Sequence, residues 1–582
     1  MKRYWLHMVN STEKIVEMFL KKQVNDTARP DFGRMDSDVV EGKQTIYMLT
    51  DALCLYFCKE SSYYKDAEIF DAVKRGIGFV ERWQRPDGSL DFPTCNFFSA
   101  PDTSFCFRRL RAGWEILRKY GETKEEKDLE ERYLILLLRC IPIILYGGFH
   151  TPNHRWAVTA ALLSLANMTE EYGELAFSTA QLSLLRPADA PEIHTAGELT
   201  QALRDRAEAY LVEGIDGDED GEFAERSTGN YNAVVDKSLI LAYEMTGEEK
   251  FLGYVERNLN MMLYYFDGDD TVFTQNSTRQ DQGREIYPDQ YFYLYTYMAD
   301  RTGSAVFDAA AHKIIKDNQA RAALAPDCMY YFMLNDRLKE YEFKGYGYLE
   351  TYRKYFPGSQ VLRVKKKEYV YTVLNQKASF LYLKFGSLSV RMRIGEAYCD
   401  TRSVIPQSLE QKEDGCVLKS TANGWYYLPF KENPGTSDWW KMDHSKRELL
   451  ITSKIDTTVT IRELPKGLEI TVKTEGLDHL PLRVELSIPA ECVLETDSVR
   501  LSGKMGESLI LKDGFLTLTS EATEAESSRN VPGSIHKVEI GPGYGTHSFK
   551  GHYSGEVKNE FGYSIFLNDY TPYERTFHIV EI

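Results

Sequence analysis

The sequence lacks any uninterrupted apolar run of about 18 residues, the length that a membrane helix needs. It also has fewer basic than acidic residues, 70 against 87, for a formal charge of −17. Nucleic acids and anionic membranes bind basic surfaces, so neither is expected as the main partner. The N-terminal residues lack an apolar core followed by a small-residue cleavage site. We therefore expect a cytoplasmic protein, although a signal peptide removed beforehand would leave the same sequence.

Closely spaced cysteine pairs are absent as well. The nine cysteines are spread along the chain, for example at Cys54, Cys58, Cys106 and Cys140. They have neither the spacing of a zinc site nor the density of a disulfide scaffold, which favours a reducing compartment. With 582 residues, of which 43% are apolar, the chain is long enough for two or three domains.

The first part of the chain has helical periodicity and turn residues between its segments. The predicted helices make six hairpins and span residues 9–23, 40–58, 64–84, 101–120, 126–146, 152–170, 172–184, 195–213, 230–246, 248–265, 285–302 and 304–320. Stacked hairpins form either an open solenoid or a closed toroid. Aromatic residues near helix starts, as in NHRW (153–156) and YPDQYFYLYTY (287–297), suit a funnel that stacks sugars. An (α/α)6-type toroid is therefore favoured.

From about residue 356 onward, apolar and polar residues alternate, as in EYVYTVL (368–374) and LEITVKT (468–474). This pattern, broken by Asp-Gly turns, is typical of an antiparallel β-sandwich. We predict a multidomain α+β protein with a toroid over residues 1–355 and a β-sandwich over residues 356–582. The stretch 321–355 is expected to be a last helical piece.

The segment GGFHTPNHRWAVTAALLSLA (147–166) has the signals of a helix start, with Thr151 as N-cap and Pro152 as the first helical residue. Asn153, His154 and Arg155 then fall in the first turn. Free backbone N–H groups and the helix dipole favour an anion there, such as a substrate carboxylate. The structural alternative is a capped helix with a solvated first turn.

A second segment, DGEFAERSTGNYN (220–232), opens another helix between glycines. It supplies Glu225, Arg226 and Tyr231, an unusual combination for a simple connector. The structural alternative is an ordinary loop in which Tyr231 is a packed aromatic residue.

Together, the Asn-His pair at one helix start and the later DGxxxExSxxxY pattern resemble toroid polysaccharide lyases of the heparinase II/III and alginate-lyase type. The resemblance implies a toroid followed by a β-sandwich. It also implies that Asn153, with Arg155 or Arg226, neutralises a uronate carboxylate, and that His154 and Tyr231 act as acid and base around the sugar C5 and O4.

The residue types suit β-elimination. Neutralising the carboxylate next to C5 stabilises the enolate that forms when the C5 proton leaves. A tyrosine can abstract this proton only if cations lower its pKa, which is about 10 in water. Arg155, Arg226 and Arg279 could supply that charge, and no metal or other cofactor is required.

The chain also resembles toroid glycoside hydrolases of the β-glucuronidase type. Hydrolysis needs two carboxylates, for which Asp102, Glu225 and Asp281 are candidates. Each has a structural alternative, as a helix cap for Asp102 and as an ion-pair partner for Glu225 and Asp281. A third hypothesis is a non-catalytic glycan-binding protein.

Further candidates for substrate binding are Trp156, Tyr287, and Trp439 with His444 in the loop GTSDWWKMDHSKRE (435–448). Core packing is the usual expectation for either tryptophan of that loop. The acidic stretch 216–221 resembles the first half of a calcium loop, and an acidic turn is the alternative. The expected partner is a uronate-containing glycan, and a homo-oligomer is compatible with the sequence.

Overall fold

The computed structural model of the chain describes residues 1–520, 536–552, 555–556 and 562–582. Residues 521–535, 553–554 and 557–561 belong to the predicted second domain and lie outside the described residues. The chain divides into two compact units. The first comprises Met1–Phe266 and Asp270–Leu349, and the second comprises Asp267–Asp269 and Glu350–Ile582. The predicted boundary was residue 355.

The first unit is helical. Its helices are α1 (Lys2–Lys22), α2 (Lys43–Phe57), α3 (Ala67–Trp83), α4 (Ala100–Tyr120), α5 (Lys124–Arg139), α6 (Ile141–Tyr146), α7 (Pro152–Thr179), α8 (Ala196–Leu211), α9 (Tyr231–Thr246), α10 (Lys250–Met262), α11 (Phe292–Thr302), α12 (Ala305–Ala320), α13 (Met329–Leu334) and α14 (Asp336–Lys339). Short polar side chains fix several starts, because they accept hydrogen bonds from otherwise unpaired N–H groups. Asp66 caps α3, and Thr123 forms a capping box with Glu126 at α5.

The helical ring closes by joining α1 to the last long helix. Tyr4 Oη lies 2.9 Å from His312 Nε2, and His7 Nε2 lies 2.8 Å from Asn318 Oδ1. Helices α2, α4, α7 and α9 pack in succession, and α13 packs against α1, α2 and α4. These contacts form the predicted toroid rather than an open array. Across the described part of the chain, no helix is both long and apolar enough to cross a bilayer.

The predicted break after residue 170 is confirmed, because α7 consists of two helices joined across a kink at Tyr172, which has the non-helical angles φ −118° and ψ 30°. The second of these helices ends at Thr179, before the predicted end at residue 184. The final helical piece after residue 321 is limited to the short α13 and α14.

The second unit is a two-sheet sandwich. Its strands are β1 (Tyr352–Phe356), β2 (Val361–Lys365), β3 (Val370–Leu374), β4 (Ser379–Phe385), β5 (Leu388–Tyr398), β6 (Thr401–Ser403), β7 (Ser408–Lys412), β8 (Gly415–Tyr427), β9 (Leu449–Leu464), β10 (Gly467–Gly476), β11 (Pro481–Ile488), β12 (Val493–Glu495), β13 (Arg500–Ser502), β14 (Ser508–Ile510), β15 (Leu516–Thr519), β16 (Lys537–Gly541), β17 (Gly551–His552), β18 (Gly555–Glu556), β19 (Tyr563–Tyr570) and β20 (Glu574–Glu581). Within the described residues, β17 and β18 form a separate two-stranded sheet.

One large sheet has the order β1-β2-β3-β4-β5-β11-β19-β14, with β6 beside β5, and the other has the order β13-β12-β15-β16-β20-β10-β9-β8-β7. Apolar residues of both sheets form one core. Strand β5 is an example, because side chains on one face of a strand alternate along it and the alternate residues Leu388, Val390, Met392 and Ile394 are buried. The predicted sandwich is confirmed, with one exception to its antiparallel pairing, since β14 pairs with β19 in parallel.

Candidate active site

Helix α7 begins as predicted, with an extended Thr151 followed by Pro152 in the first turn. The backbone N–H of Asn153 donates to Glu225 Oε2 at 3.1 Å. Its side-chain Nδ2 donates to both Glu225 oxygens, at 3.0 and 2.8 Å. The helix start therefore holds an anion, but that anion is the protein's own carboxylate.

Glu225 connects this helix start to the chain around residue 279. Arg279 Nε lies 3.2 Å from Glu225 Oε1, and the backbone carbonyl of Glu225 accepts from Thr278 N at 3.1 Å. Burial raises the pKa of Glu225, against the opposing hydrogen bonds of Asn153 and the charge of Arg279. The buried carboxylate thus holds one amide and one guanidinium group in place.

Tyr231, the first residue of α9, lies against the same arginine. The Arg279 guanidinium carbon is 5.0 Å from the centre of the Tyr231 ring, within cation–π range. The Tyr231 hydroxyl donates to Gln280 Oε1 at 3.3 Å, and its backbone N–H donates to Ser227 Oγ at 2.9 Å. An unbroken series of contacts therefore joins Asn153 to Tyr231.

His154 is uncharged at neutral pH. Its ring is 8% exposed and meets the rings of Phe105 and His150 edge to face, with centroids 5.8 and 4.9 Å apart. Burial lowers the pKa of His154 to about 4, helped by the charges of His150 and Arg279 and opposed by Asp102. Its Nδ1 is buried without a hydrogen-bond partner in the described residues. The ring is available as a proton acceptor.

Asp281 organises the turn that precedes Tyr231. Its Oδ1 accepts from Ser227 Oγ at 2.9 Å and Ser277 Oγ at 2.6 Å, and its Oδ2 accepts from Gly229 N at 2.9 Å. Glycine fits closely at residue 229, because a Cβ there would lie 2.7 Å from Ile286 Cδ1 and 2.9 Å from Asp281 Oδ2 and would force these side chains to shift. The candidate hydrolytic carboxylate Asp281 therefore holds the turn together.

Asp102 is engaged in a similar way. Its Oδ2 accepts from Ser99 Oγ at 2.7 Å and from Asn96 Nδ2 at 2.8 Å, while Ser99 caps α4. Like Glu225 and Asp281, it is buried and bound by more than one protein donor. The three carboxylates considered for hydrolysis all have such structural partners.

Of the three candidate arginines, Arg155 and Arg226 are paired elsewhere. Arg155 Nη1 lies 2.7 Å from Glu213 Oε2, and Arg226 Nε lies 3.4 Å from Glu222 Oε2. The contacts of Tyr231 and Glu225 with an arginine are instead made by Arg279. Arg279, and not Arg155 or Arg226, is therefore the arginine that contacts both Glu225 and Tyr231.

Trp156 is buried and donates through Nε1 to Asp216 Oδ1 at 2.5 Å. Its ring is therefore packed inside the helical unit and does not offer an exposed surface for stacking a sugar. Asp216 Oδ2 also accepts from Ala224 N at 3.2 Å, and Asp218 Oδ1 accepts from Glu222 N at 2.8 Å. The acidic stretch is thus internally hydrogen-bonded. No group of three or more acidic, His or Cys side chains in the described ranges is arranged to hold a metal ion.

The other predicted residues are outside this series of contacts. The Tyr287 ring has the Arg321 guanidinium 3.8 Å above its centre. Trp439 and His444 belong to the second unit and lie with ring centroids 4.1 Å apart. The expectation of core packing in that loop is wrong, because Trp439 is 48% exposed and Trp440 is 90% exposed.

Sequence reasoning missed Lys43, Phe105, His150 and Gln280. Lys43 Nζ lies 5.5 Å from the Phe105 ring centre, and its charge also lowers the pKa of His154. Lys43 and Phe105 come from two other helices and had no local signal. His150 lies in the motif of residues 147–166 and could have been included.

Neither a protein-family model nor a curated protein matches the sequence. Solved structures do match its fold. A xanthan lyase from Paenibacillus is 11% identical with a TM-score of 0.53, over 99% of this chain and 57% of that chain. A chondroitin AC lyase from Streptomyces coelicolor A3 is 9% identical with a TM-score of 0.50, over 100% and 80%. Heparinase III is 8% identical with a TM-score of 0.53, over 98% and 85%. This chain spans little more than half the length of the xanthan lyase, and it shares the fold of these polysaccharide lyases.

Proposed function

We propose that the protein is a lyase that cleaves uronate-containing oligosaccharides by β-elimination. The observation that carries the proposal is the contact series Asn153–Glu225–Arg279–Tyr231, with an uncharged His154 next to Asn153. It combines a proton acceptor, a proton donor and a cation for a carboxylate, which are the groups that elimination requires. The shared fold with polysaccharide lyases supports this reading.

In the proposed reaction, Arg279 binds the uronate carboxylate and stabilises the negative charge that develops when C5 is deprotonated. His154 accepts the C5 proton. The C5–H electron pair forms the C4–C5 double bond, and the C4–O4 bond breaks. The Tyr231 hydroxyl gives its proton to O4, and solvent restores both side chains to their starting protonation states.

The lowered pKa of His154 is set by burial among protein groups. A bound uronate places a negative charge close to the ring, which favours the imidazolium form and raises the pKa of His154. Substrate binding therefore strengthens the base at the stage at which it is needed. Glu225, held by Asn153, keeps Arg279 against Tyr231.

Elimination is favoured over hydrolysis by the state of the carboxylates. A hydrolase needs one carboxylate as acid and a second as base or nucleophile. Asp102 and Asp281 are each hydrogen-bonded by at least two side-chain donors. Glu225 is bound by Asn153 and Arg279.

The test is incubation with glucuronate-containing oligosaccharides while ultraviolet absorbance and released sugar are both measured. Only elimination produces the absorbing double bond conjugated to the carboxylate. We expect absorbance and sugar release to rise together. Sugar release without absorbance would show hydrolysis, and saturable binding without cleavage would show a glycan-binding protein.

The matched variants are Tyr231→Phe and Tyr243→Phe. Both tyrosines are on α9, and each has an arginine guanidinium 5.0 Å from its ring centre. We expect loss of the Tyr231 hydroxyl to lower kcat by about 10²- to 10⁴-fold, the usual contribution of a general acid. The Tyr243 variant should keep its activity, and equal rates in the two variants would contradict the role of Tyr231.

A further inference from the structure

The helical unit contains a cavity of about 570 Å³ between the later turns of α4 and α9. Tyr231 begins α9, whereas Lys237 and Glu244 of the cavity wall lie further along that helix, at about 9 and 20 Å along its axis. None of the residues in the contact series from Asn153 to Tyr231 lines the cavity. The cavity is therefore distinct from the site around Tyr231.

Two cations of the cavity wall have no anionic partner. Arg108 and Lys237 make no ion pair with any residue that the structure describes, and the charge of Arg108 lowers the pKa of Lys237. The remaining wall cations are each paired, at 2.5 Å for Arg111–Glu115, 2.7 Å for Arg118–Glu171 and 2.9 Å for Lys119–Asp336. The positive charge of the wall that no carboxylate in the described ranges balances is therefore located at Arg108 and Lys237.

The same wall has buried hydrogen-bond donors without acceptors. Arg108 Nε and Trp114 Nε1 are both buried and have no hydrogen-bond partner among the described residues. The whole Trp114 residue is only 4% exposed. A buried donor left without an acceptor costs free energy. Glu244 provides an acceptor at the wall, and Tyr293 and Tyr331, stacked 3.7 Å apart, provide a flat aromatic surface.

We propose that this cavity binds a small acidic sugar, with its carboxylate or phosphate group on Arg108 and Lys237. Its hydroxyl groups would accept from Trp114 and donate to Glu244. An oxyanion supplies the charge and the acceptors that these donors lack. The volume is within the range of about 300–1,000 Å³ that is typical of small-molecule sites. The proposal does not depend on the reaction assigned to His154 and Tyr231.

The first test is calorimetric titration of the full chain with glucuronate, glucose 6-phosphate and neutral glucose. We expect one or both acidic sugars to bind, and glucose to bind about tenfold more weakly or less. Arg108→Met should weaken binding of the acidic sugar by about tenfold or more, as expected for loss of a charge-assisted hydrogen bond. Arg118→Met is the matched control, because Arg118 lines the same cavity but is paired with Glu171.

The second test uses the unaltered protein, so it does not depend on a variant that folds. Burial and the charge of Arg108 lower the pKa of Lys237 to about 8, so its amine is partly uncharged and reactive at pH 8. Acetic anhydride labelling of Lys237, measured by peptide mass spectrometry, should fall when the acidic sugar is bound. Binding that leaves this labelling unchanged places the sugar elsewhere. That result, equal affinity for glucose, or no binding of either acidic sugar would overturn the proposal.

Discussion

The titration of His154 is the property on which the proposed base depends. Burial lowers the pKa of His154 from 6.5 to about 4, and the ring is therefore uncharged at neutral pH. Each pKa unit corresponds to about 1.4 kcal/mol. The lowering from 6.5 to about 4 therefore corresponds to a penalty of about 3 kcal/mol for charging His154 in the folded chain.

The sign of the effect on stability follows from proton binding. Between pH 6.5 and about 4, the unfolded chain takes up a proton at His154 and the folded chain does not. Acid therefore favours the unfolded chain over that range. The loss of folding stability is absent above pH 6.5 and reaches about 3 kcal/mol below about pH 4.

The direct assay is nuclear magnetic resonance of protein labelled with carbon-13 at the histidine Cε1 position. His154→Gln identifies the His154 signal by its disappearance, and His150→Gln serves as the exposed neighbouring control. We expect the His154 signal to shift with a midpoint near pH 4 in the free protein. Adding a uronate ligand should move that midpoint upward, because the carboxylate favours the imidazolium.

A His154 midpoint near 6.5 would refute the reasoning, because the ring would then be solvated and partly charged at neutral pH. An unperturbed midpoint in the presence of bound uronate would instead show that the carboxylate binds far from this ring. Unfolding at pH 7.5 and pH 4.5 gives a second measure. The His154→Gln variant should lose about 2 to 3 kcal/mol less stability than the unaltered chain between these values.

Two further predictions concern the groups around this ring. Arg279→Met should lower kcat/KM on a uronate substrate by about 10- to 100-fold, which is the expected effect of losing a charged hydrogen bond. Arg155→Met is the control and should leave kcat/KM unchanged. Similar losses in the two variants would contradict the assignment to Arg279. Gly229→Ala should destabilise the chain by about 1–3 kcal/mol in thermal unfolding, since its Cβ would crowd Asp281 at 2.9 Å. Gly148→Ala is the control, because its Cβ would meet no atom within 4 Å; equal melting temperatures would contradict the crowding.

Local signals predicted local structure well. The start of α7 was predicted from Thr151 and Pro152, which lie within one turn of the chain. Pro152 contributes a fixed φ, while Thr151 takes the extended N-cap conformation without a side-chain capping hydrogen bond. Alternation of apolar residues predicted the strands for the same reason, as β5 illustrates. The break between the two helices of α7 was also predicted locally, and it lies at Tyr172. The end of the second helix was placed too late, at residue 184 instead of Thr179.

The identity of the group at that helix start could not be predicted locally. Asn153 begins α7, whereas Glu225 lies in the connection between α8 and α9, and the two meet only in the folded toroid. The same holds for Arg279, whose place between Glu225 and Tyr231 depends on the connection after α10. The sequence indicated an anion next to Asn153, and tertiary structure determined which anion it is.

This occupancy changes how a uronate can be recognised. Glu225 already uses the N–H of Asn153, so the positive end of α7 is largely neutralised before any substrate arrives. A second carboxylate placed directly on that helix start would meet a like charge in a buried setting. Arg279 is the better partner for it, because this arginine lies against both Glu225 and the Tyr231 ring and its charge acts on His154. In the proposed function, substrate recognition would then depend on one arginine that the buried carboxylate of Glu225 holds in place.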